Sequence, residues 1–184
     1  FGVASPYLRE LPLHDHGLEW RFPEVDLAHP LSGGRAGVMV RSLEETERRL
    51  GEDGRRWRRV FGPVAESLDD IAAEAFRPVM HVPRHPIAFA GFGARAALPA
   101  TLLARAFRTD EARALWAGSA AHVIHPLHRP LTSSVGVMLT GACHAVGWPV
   151  AAGGSSSITE ALARMLEKHG GRIESGVTVH AHDE

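Results

Sequence analysis

Apolar and polar positions divide the chain into a short β-patterned opening and a long helical remainder. Leu18-Glu19-Trp20-Arg21-Phe22 alternates with the period of two of a half-buried strand. Residues 25–29 and 36–40 carry two more short strands, and Ser32-Gly33-Gly34-Arg35 supplies the turn between them. The pattern predicts an antiparallel meander over residues 18–40.

From Ser42 to residue 146 the period lengthens and helices are predicted. Ser42 stands three residues before Glu45, a capping-box start. Trp57, Val60, Phe61, Val64, Leu68, Ile71 and Ala75 recur in steps of three and four and share one face of a helix over 54–76. Gly62-Pro63 is expected to kink or divide it, and Ser67 with Asp70 offers a restart. Pro78, Pro83 and Pro86 mark an irregular connector. Pro99 suits the first turn of a helix running to about Phe107, and Thr109-Asp110-Glu111 caps another reaching about Ala121. Residues 133–146 are apolar nearly all round and predict a buried helix, with Gly136 and Gly141 allowing close approach. The helices at 98–107 and 133–146 are expected to line an apolar cleft.

After Gly153-Gly154, Ser157 and Glu160 form a second capping-box pair. Ile158, Leu162 and Met165 or Leu166 mark the buried face of the helix that follows. Gly170-Gly171 stops it, and residues 172–180 read as a strand with Ile173, Val177 and Val179 inward. Helix, glycine stop and β-branched strand make half of a crossover unit, whose parallel strand needs neighbours.

Composition narrows the functional classes. An apolar share of 45% is enough for a buried core. A formal net charge of -1 gives no global basic field for nucleic acid. A single cysteine, Cys143, rules out an internal disulfide and a thiolate metal cluster and fits a reducing, cytoplasmic compartment. No apolar run reaches bilayer-spanning length, so any membrane association is expected to be peripheral. The chain opens on Phe1 and closes just after a strand-like run, so it is expected to be an internal fragment of a longer protein.

The strongest functional signal is an ordered series of segments. Phe1-Gly2-Val3-Ala4-Ser5-Pro6 leads to Leu11-Pro12-Leu13-His14-Asp15-His16-Gly17-Leu18-Glu19-Trp20, then Ala28-His29-Pro30-Leu31 and Gly34-Arg35-Ala36. Gly147-Trp148-Pro149 precedes Gly153-Gly154, and Gly170-Gly171-Arg172-Ile173 follows the last helix. In order and spacing the series resembles the FAD-dependent phytoene desaturase and phytoene dehydrogenase-related proteins of the flavin amine oxidase-like superfamily, from the segment after their flavin-binding loop.

The resemblance implies an α+β, mainly helical chain: a substrate-binding domain plus a partial crossover of an FAD/NAD(P)-binding, Rossmann-like domain. Residues 1–152 would be substrate-side material and 153–184 a returning helix–strand piece of the cofactor domain. The parent activity would be oxidation of a hydrophobic small molecule by hydride transfer to FAD. Gly153 and Gly154 match the paired glycines near the flavin, where a backbone without β-carbons approaches a flat ring and adopts positive φ. Val179 matches a strand residue against the adenine. The family's Gly-x-Gly-x-x-Gly loop is absent from residues 1–184. The isolated chain is therefore expected to be inactive and to self-associate through surface that meets the rest of the enzyme. No catalytic residue stands out.

Other patterns carry less. Gly91-Phe92-Gly93-Ala94-Arg95-Ala96 fits Gly-x-Gly-x-x-Ala, but a dinucleotide loop must follow a buried strand and open a helix. His122, His125 and His128 are spaced for a zinc site, though Pro126 and Pro130 break the helix that would align them. Arg48, Arg49, Arg55, Arg56, Arg58 and Arg59 interleave with Glu44, Glu45, Glu47, Glu52 and Asp53 and predict a solvated face of mixed ion pairs. Cys143 and His144 diverge on a helix and make no thiol–base pair. Beside the flavoenzyme stand two further classes, a non-enzymatic helical domain for an apolar ligand or partner chain, and a histidine metal site.

Overall fold

A computed structural model describes residues 2–78 and 80–178. The protein is α+β and mainly helical. In chain order the elements are α1 (Pro6–Glu10), β1 (Trp20–Arg21), β2 (Leu27–Pro30), β3 (Ala36–Met39), α2 (Leu43–Arg49), α3 (Gly54–Glu66) and α4 (Leu68–Ala75). They continue with α5 (Pro86–Ala96), α6 (Ala100–Leu103), α7 (Asp110–Ala121), α8 (Ser133–Val146), β4 (Val150–Ala151) and α9 (Ser156–Lys168). Two compact units result. One is the continuous stretch from Phe22 to Trp148, and the other joins residues 2–21 to the chain from Pro149 onward.

The Phe22–Trp148 unit is built around α8. Its centre is apolar enough to be covered on every side, and its two glycines set how closely neighbours approach. A β-carbon on Gly136 would come within 2.8 Å of the Ala120 Cα of α7, and one on Gly141 within 2.5 Å of Val64 in α3. The i, i+3, i+4 spacing read along residues 57–71 delivers Trp57, Phe61, Val64, Leu68 and Ile71 to the core. Trp57 and Phe61 lie 4.5 Å apart between ring centroids, and Phe61 meets Trp116 of α7 at 5.7 Å. Both buried indole N–H groups have acceptors, as burial in an apolar core requires: Trp116 donates to the Ala100 carbonyl at 2.8 Å and Trp57 to His144 Nε2 at 2.9 Å.

Pro63 does not divide α3, which runs through it to Glu66; the break falls at Ser67, where α4 restarts. Proline at 63 leaves the Arg59 carbonyl without its usual intrahelical donor, and the Arg95 guanidinium from α5 reaches that oxygen at 3.4 Å. Two of the helix starts read from the sequence carry their capping bond. Ser42 Oγ accepts from the Glu45 N–H at 3.1 Å and Thr109 Oγ1 from the Ala112 N–H at 3.3 Å. The connector's last proline, Pro86, is the first residue of α5 (Pro86–Ala96), a helix that the sequence pattern did not assign.

The expected three-stranded meander is instead two separate pairs. β2 and β3 form the antiparallel hairpin, with Leu27 opposite Met39 and Pro30 opposite Ala36. Gly37 lets this hairpin lie on α7, because a β-carbon there would overlap the Glu111 carbonyl. β1 pairs with β4 in the other unit, Trp20 opposite Ala151 and Arg21 opposite Val150. Adjacency in sequence suggested the wrong partner, because the Leu18–Phe22 alternation fixes which face is buried but not which strand lies alongside.

In the second unit, Ala161 of α9 is fully buried with Leu13, Leu18 and Ala151, and Ile158, Leu162 and Met165 pack around them. The Arg164 Nε donates to the His16 carbonyl at 2.7 Å, tying α9 to the first segment. The Ser157–Glu160 capping box does not form. α9 begins two residues earlier, at Ser156 with Ser155 in the cap position, and the Ser157 hydroxyl donates to the Ala152 carbonyl at 2.6 Å. The helix ends as its glycines demand, with the Gly170 N–H on the Glu167 carbonyl at 2.9 Å and the Gly171 N–H on Leu166 at 3.0 Å, a Schellman closure. Beyond it residues 172–178 are irregular rather than a strand, and Ile173 and Val177 are exposed. A strand there has no neighbour to supply its ladder hydrogen bonds among the described residues.

Candidate functional site

Two places among the described residues bear on the expected ligands. The first is the Gly153–Gly154 turn between β4 and α9. Gly153 has φ +81° and Gly154 φ +105°, a region that strains any residue with a β-carbon. The turn is pinned by the Gly154 N–H on the Ala151 carbonyl at 3.0 Å and by the Ser157 hydroxyl below it. A β-carbon on Gly154 would meet nothing within 4 Å, so its backbone faces open space. Val179, the third residue matched to the cofactor, lies outside the described residues, as do His180 and His182.

The second is a cleft of about 490 Å³ in the Phe22–Trp148 unit. Pro63 and Val64 of α3, Ile71 of α4, and Pro86, Ile87 and Phe92 of α5 supply its apolar walls, with Ser67, Asp70, His85 and Arg95 as polar lining. His85 Nδ1 lies 3.4 Å from Asp70 Oδ1. This corrects the expectation that residues 98–107 and 133–146 line the cleft. α8 is too apolar to remain at a surface and is the core helix instead, and Leu103 and Phe107 are buried with it.

The floor of the adjoining connector is a buried carboxylate that no local sequence pattern marks. Glu74 is 1% exposed and meets His81 Nε2 at 2.7 Å; its Oε1 accepts from the backbone N–H groups of Arg84 and His85 at 2.7 and 3.0 Å. Burial alone would raise its pKa, but these hydrogen bonds outweigh burial and hold it below the ordinary carboxylate value. Asp53 plays the same part elsewhere. Expected on a solvated face, it is fully buried, and its Oδ2 accepts from the Arg108 and Thr109 N–H groups at 2.7 and 2.6 Å and from the Thr109 hydroxyl at 2.8 Å. Burial is again overcome by these donors, and its pKa is lowered. The donors stand 55 and 56 residues away in sequence, so no periodicity reveals them. The neighbouring charges do pair as expected, Glu45 with Arg48 and Arg49, and Arg58 with Glu44 and Glu47.

The glycine-rich Gly91–Ala96 stretch lies inside α5, following no strand, so it cannot form a phosphate-cradling loop. Among the described residues no group of three or more His, Cys, Asp or Glu side chains is placed to hold a metal ion. His122 Nδ1 is instead within 3.1 Å of the Gly118 carbonyl one helical turn back. Cys143 is buried and its thiol pKa is pushed far up by that burial, reinforced by the Asp26 carboxylate, so it is no nucleophile. No family model, curated protein or solved structure matches this chain.

Proposed function

We propose that this chain is the substrate-side part of an FAD-dependent oxidoreductase related to phytoene dehydrogenases, acting on a hydrophobic small molecule. The observation that carries the reading is the Gly153–Gly154 turn. Both glycines hold positive φ, the turn is pinned by the Gly154 N–H and the Ser157 hydroxyl, and open space lies where a Gly154 β-carbon would point. Such a surface admits a flat ring at van der Waals distance, which any side chain would prevent. FAD, when bound, supplies the hydride acceptor, and the residues of this chain supply position and exclusion of water. The apolar cleft fits the hydrophobic substrate class, and the exposed Ile173 and Val177 fit a segment that completes a sheet with other chain.

Purification of the full-length product of the gene tests this. Flavin absorption is expected, and Gly154→Ala is expected to lower flavin occupancy while the near-ultraviolet signal of the buried Trp57 and Trp116 persists. A full-length product that carries no flavin and takes none up sinks the reading. The cleft itself favours a second one, a non-enzymatic helical domain that holds an apolar ligand. That reading gains if the flavin-free protein binds an apolar dye competitively with long-chain hydrocarbons.

A further inference from the structure

The cleft of the Phe22–Trp148 unit is apolar along its length and polar at its two ends. Ala88, Phe92 and Arg95 follow one another along one face of α5 at steps of four and three, and all three line it. Across the cleft α3 and α4 run in the opposite sense. Arg95 reaches the Arg59 carbonyl of α3, whereas His85, just ahead of α5, lies 3.4 Å from Asp70 of α4. His85 and Arg95 are separated by the length of α5, about 15 Å at a rise of about 1.5 Å per residue. The Arg95 end carries an uncompensated charge. Its guanidinium is half-buried and donates to two backbone carbonyls, Gly91 at 2.6 Å and Arg59 at 3.4 Å, and among the described residues no carboxylate pairs with it. Arg48, Arg49 and Arg58, by contrast, each meet a glutamate. The two carbonyl bonds fix the planar group, and the rest of its N–H donors remain for a ligand.

We propose that the cleft holds a single-chain carboxylate, its head on Arg95, its tail over Val64, Ile71, Ala88 and Phe92, and its far end at the His85–Asp70 pair. The inference rests on the reading of the cleft as the ligand site of this chain and names the class of that ligand. Length sets the tail: at C–C bonds of about 1.5 Å, a zigzag of about a dozen carbons spans about 15 Å. The cleft volume of about 490 Å³ is ordinary for a small-molecule site. Charge sets the head and its direction. Arg95 and His85 are the only lining residues that can be cationic, so a single guanidinium awaits a monoanion, and its fork matches the two oxygens of a carboxylate. Asp70 at the other end repels a carboxylate and so fixes the orientation. A wholly apolar ligand would cover the half-buried cation without giving it a partner, which burial penalises.

Displacement of an apolar fluorescent dye from the full chain tests the proposal, with dodecanoate below its micelle concentration and 1-dodecanol as the neutral probe of equal length. Neither flavin nor turnover is needed, so the outcome is separate from that of the flavoenzyme reading. Dodecanoate is expected to bind more tightly than 1-dodecanol by more than about tenfold, because a hydrogen bond between two charged groups exceeds one to a neutral hydroxyl. Arg95→Gln is expected to remove that preference and leave 1-dodecanol binding unchanged, and Arg95→Lys to keep part of it. Gly91→Leu adds a side chain at a cleft-lining position where a β-carbon meets only Arg95 Nη1, at 3.8 Å, and is expected to abolish binding of both probes. The near-ultraviolet signal of Trp57 and Trp116 verifies that the variants keep the core. Equal affinity for the two probes, or dodecanoate binding unchanged by Arg95→Gln, overturns the proposal and leaves the cleft a site for neutral apolar ligands. Binding of neither probe overturns it together with the cleft as a ligand site.

Discussion

His144 is fixed at both ring nitrogens. Trp57 Nε1 donates to Nε2 at 2.9 Å, and Nδ1 lies 3.2 Å from the Arg41 carbonyl, so the neutral tautomer with the proton on Nδ1 satisfies every partner. Burial lowers its pKa from the ordinary 6.5, against the Arg41 carbonyl and the Asp26 carboxylate, which favour the cation. The sign of the linkage follows. Below 6.5 the unfolded chain takes up a proton that the folded one refuses, so stability falls with pH until the folded pKa is reached and is flat beneath it. His144→Gln keeps an acceptor for Trp57 and removes the titration. Thermal midpoints recorded from neutral pH downward are expected to fall less steeply in this variant than in the parent. Equal slopes would mean that His144 does not carry the acid sensitivity.

At the scale of elements, two helical glycines serve opposite ends. Gly136 makes the α7–α8 contact, where a β-carbon would press on the Ala120 backbone, whereas Gly93 in α5 has nothing within 4 Å. Alanine gains up to about 1 kcal/mol over glycine inside a helix. At Gly93 that gain is expected to appear as added stability, since no neighbour opposes it. At Gly136 overpacking costs typically about 1–3 kcal/mol and outweighs the gain, because a backbone atom cannot swing aside. Denaturant unfolding of the two alanine variants should move the midpoint in opposite directions. This contrast also separates helix from cofactor loop, since a phosphate-binding role for Gly91–Ala96 would make Gly93→Ala harmful to ligand binding and neutral to folding. α2, α7 and α8 were legible in the sequence because their signals are local: cap, period and stop lie within one element, and α7 and α8 begin and end where Thr109 and the apolar run at 133–146 say. Strand partners and buried carboxylates were not. β1 finds β4 across residues 22–149, on the order of a whole domain, and Glu74 and Asp53 are defined by backbone donors that no pattern at their own position encodes. The glycine turn at 153–154 was legible as a special backbone, since only its φ was needed to mark it.

On the scale of the whole molecule, the sequence of one continuous unit interrupts that of the other. The Phe22–Trp148 unit closes on itself where it enters and leaves: the Trp148 N–H donates to Asp26 Oδ1 at 2.7 Å, and Gly147 packs by the Phe22 ring. Its core, from Met39 through Trp57, Phe107 and Trp116 to Cys143, draws wholly on its own residues. The other unit depends on residues 2–21 for the apolar cover of α9 and leaves Ile173 and Val177 bare. The two should therefore differ in autonomy. A polypeptide of residues 22–148 has a closed core and joined ends, so it is expected to unfold cooperatively, with near-ultraviolet signal and the burial of Cys143 retained. Thiol labelling offers the sharper measure. Cys143 lies near the C-terminal end of α8 with no exposure and belongs to the main core, so its reaction rate reports opening of that core. If residues 22–148 fold alone, Cys143 in that polypeptide labels as slowly as in the full chain. Rapid labelling would show that the core of this unit is completed only by the segments on either side of it.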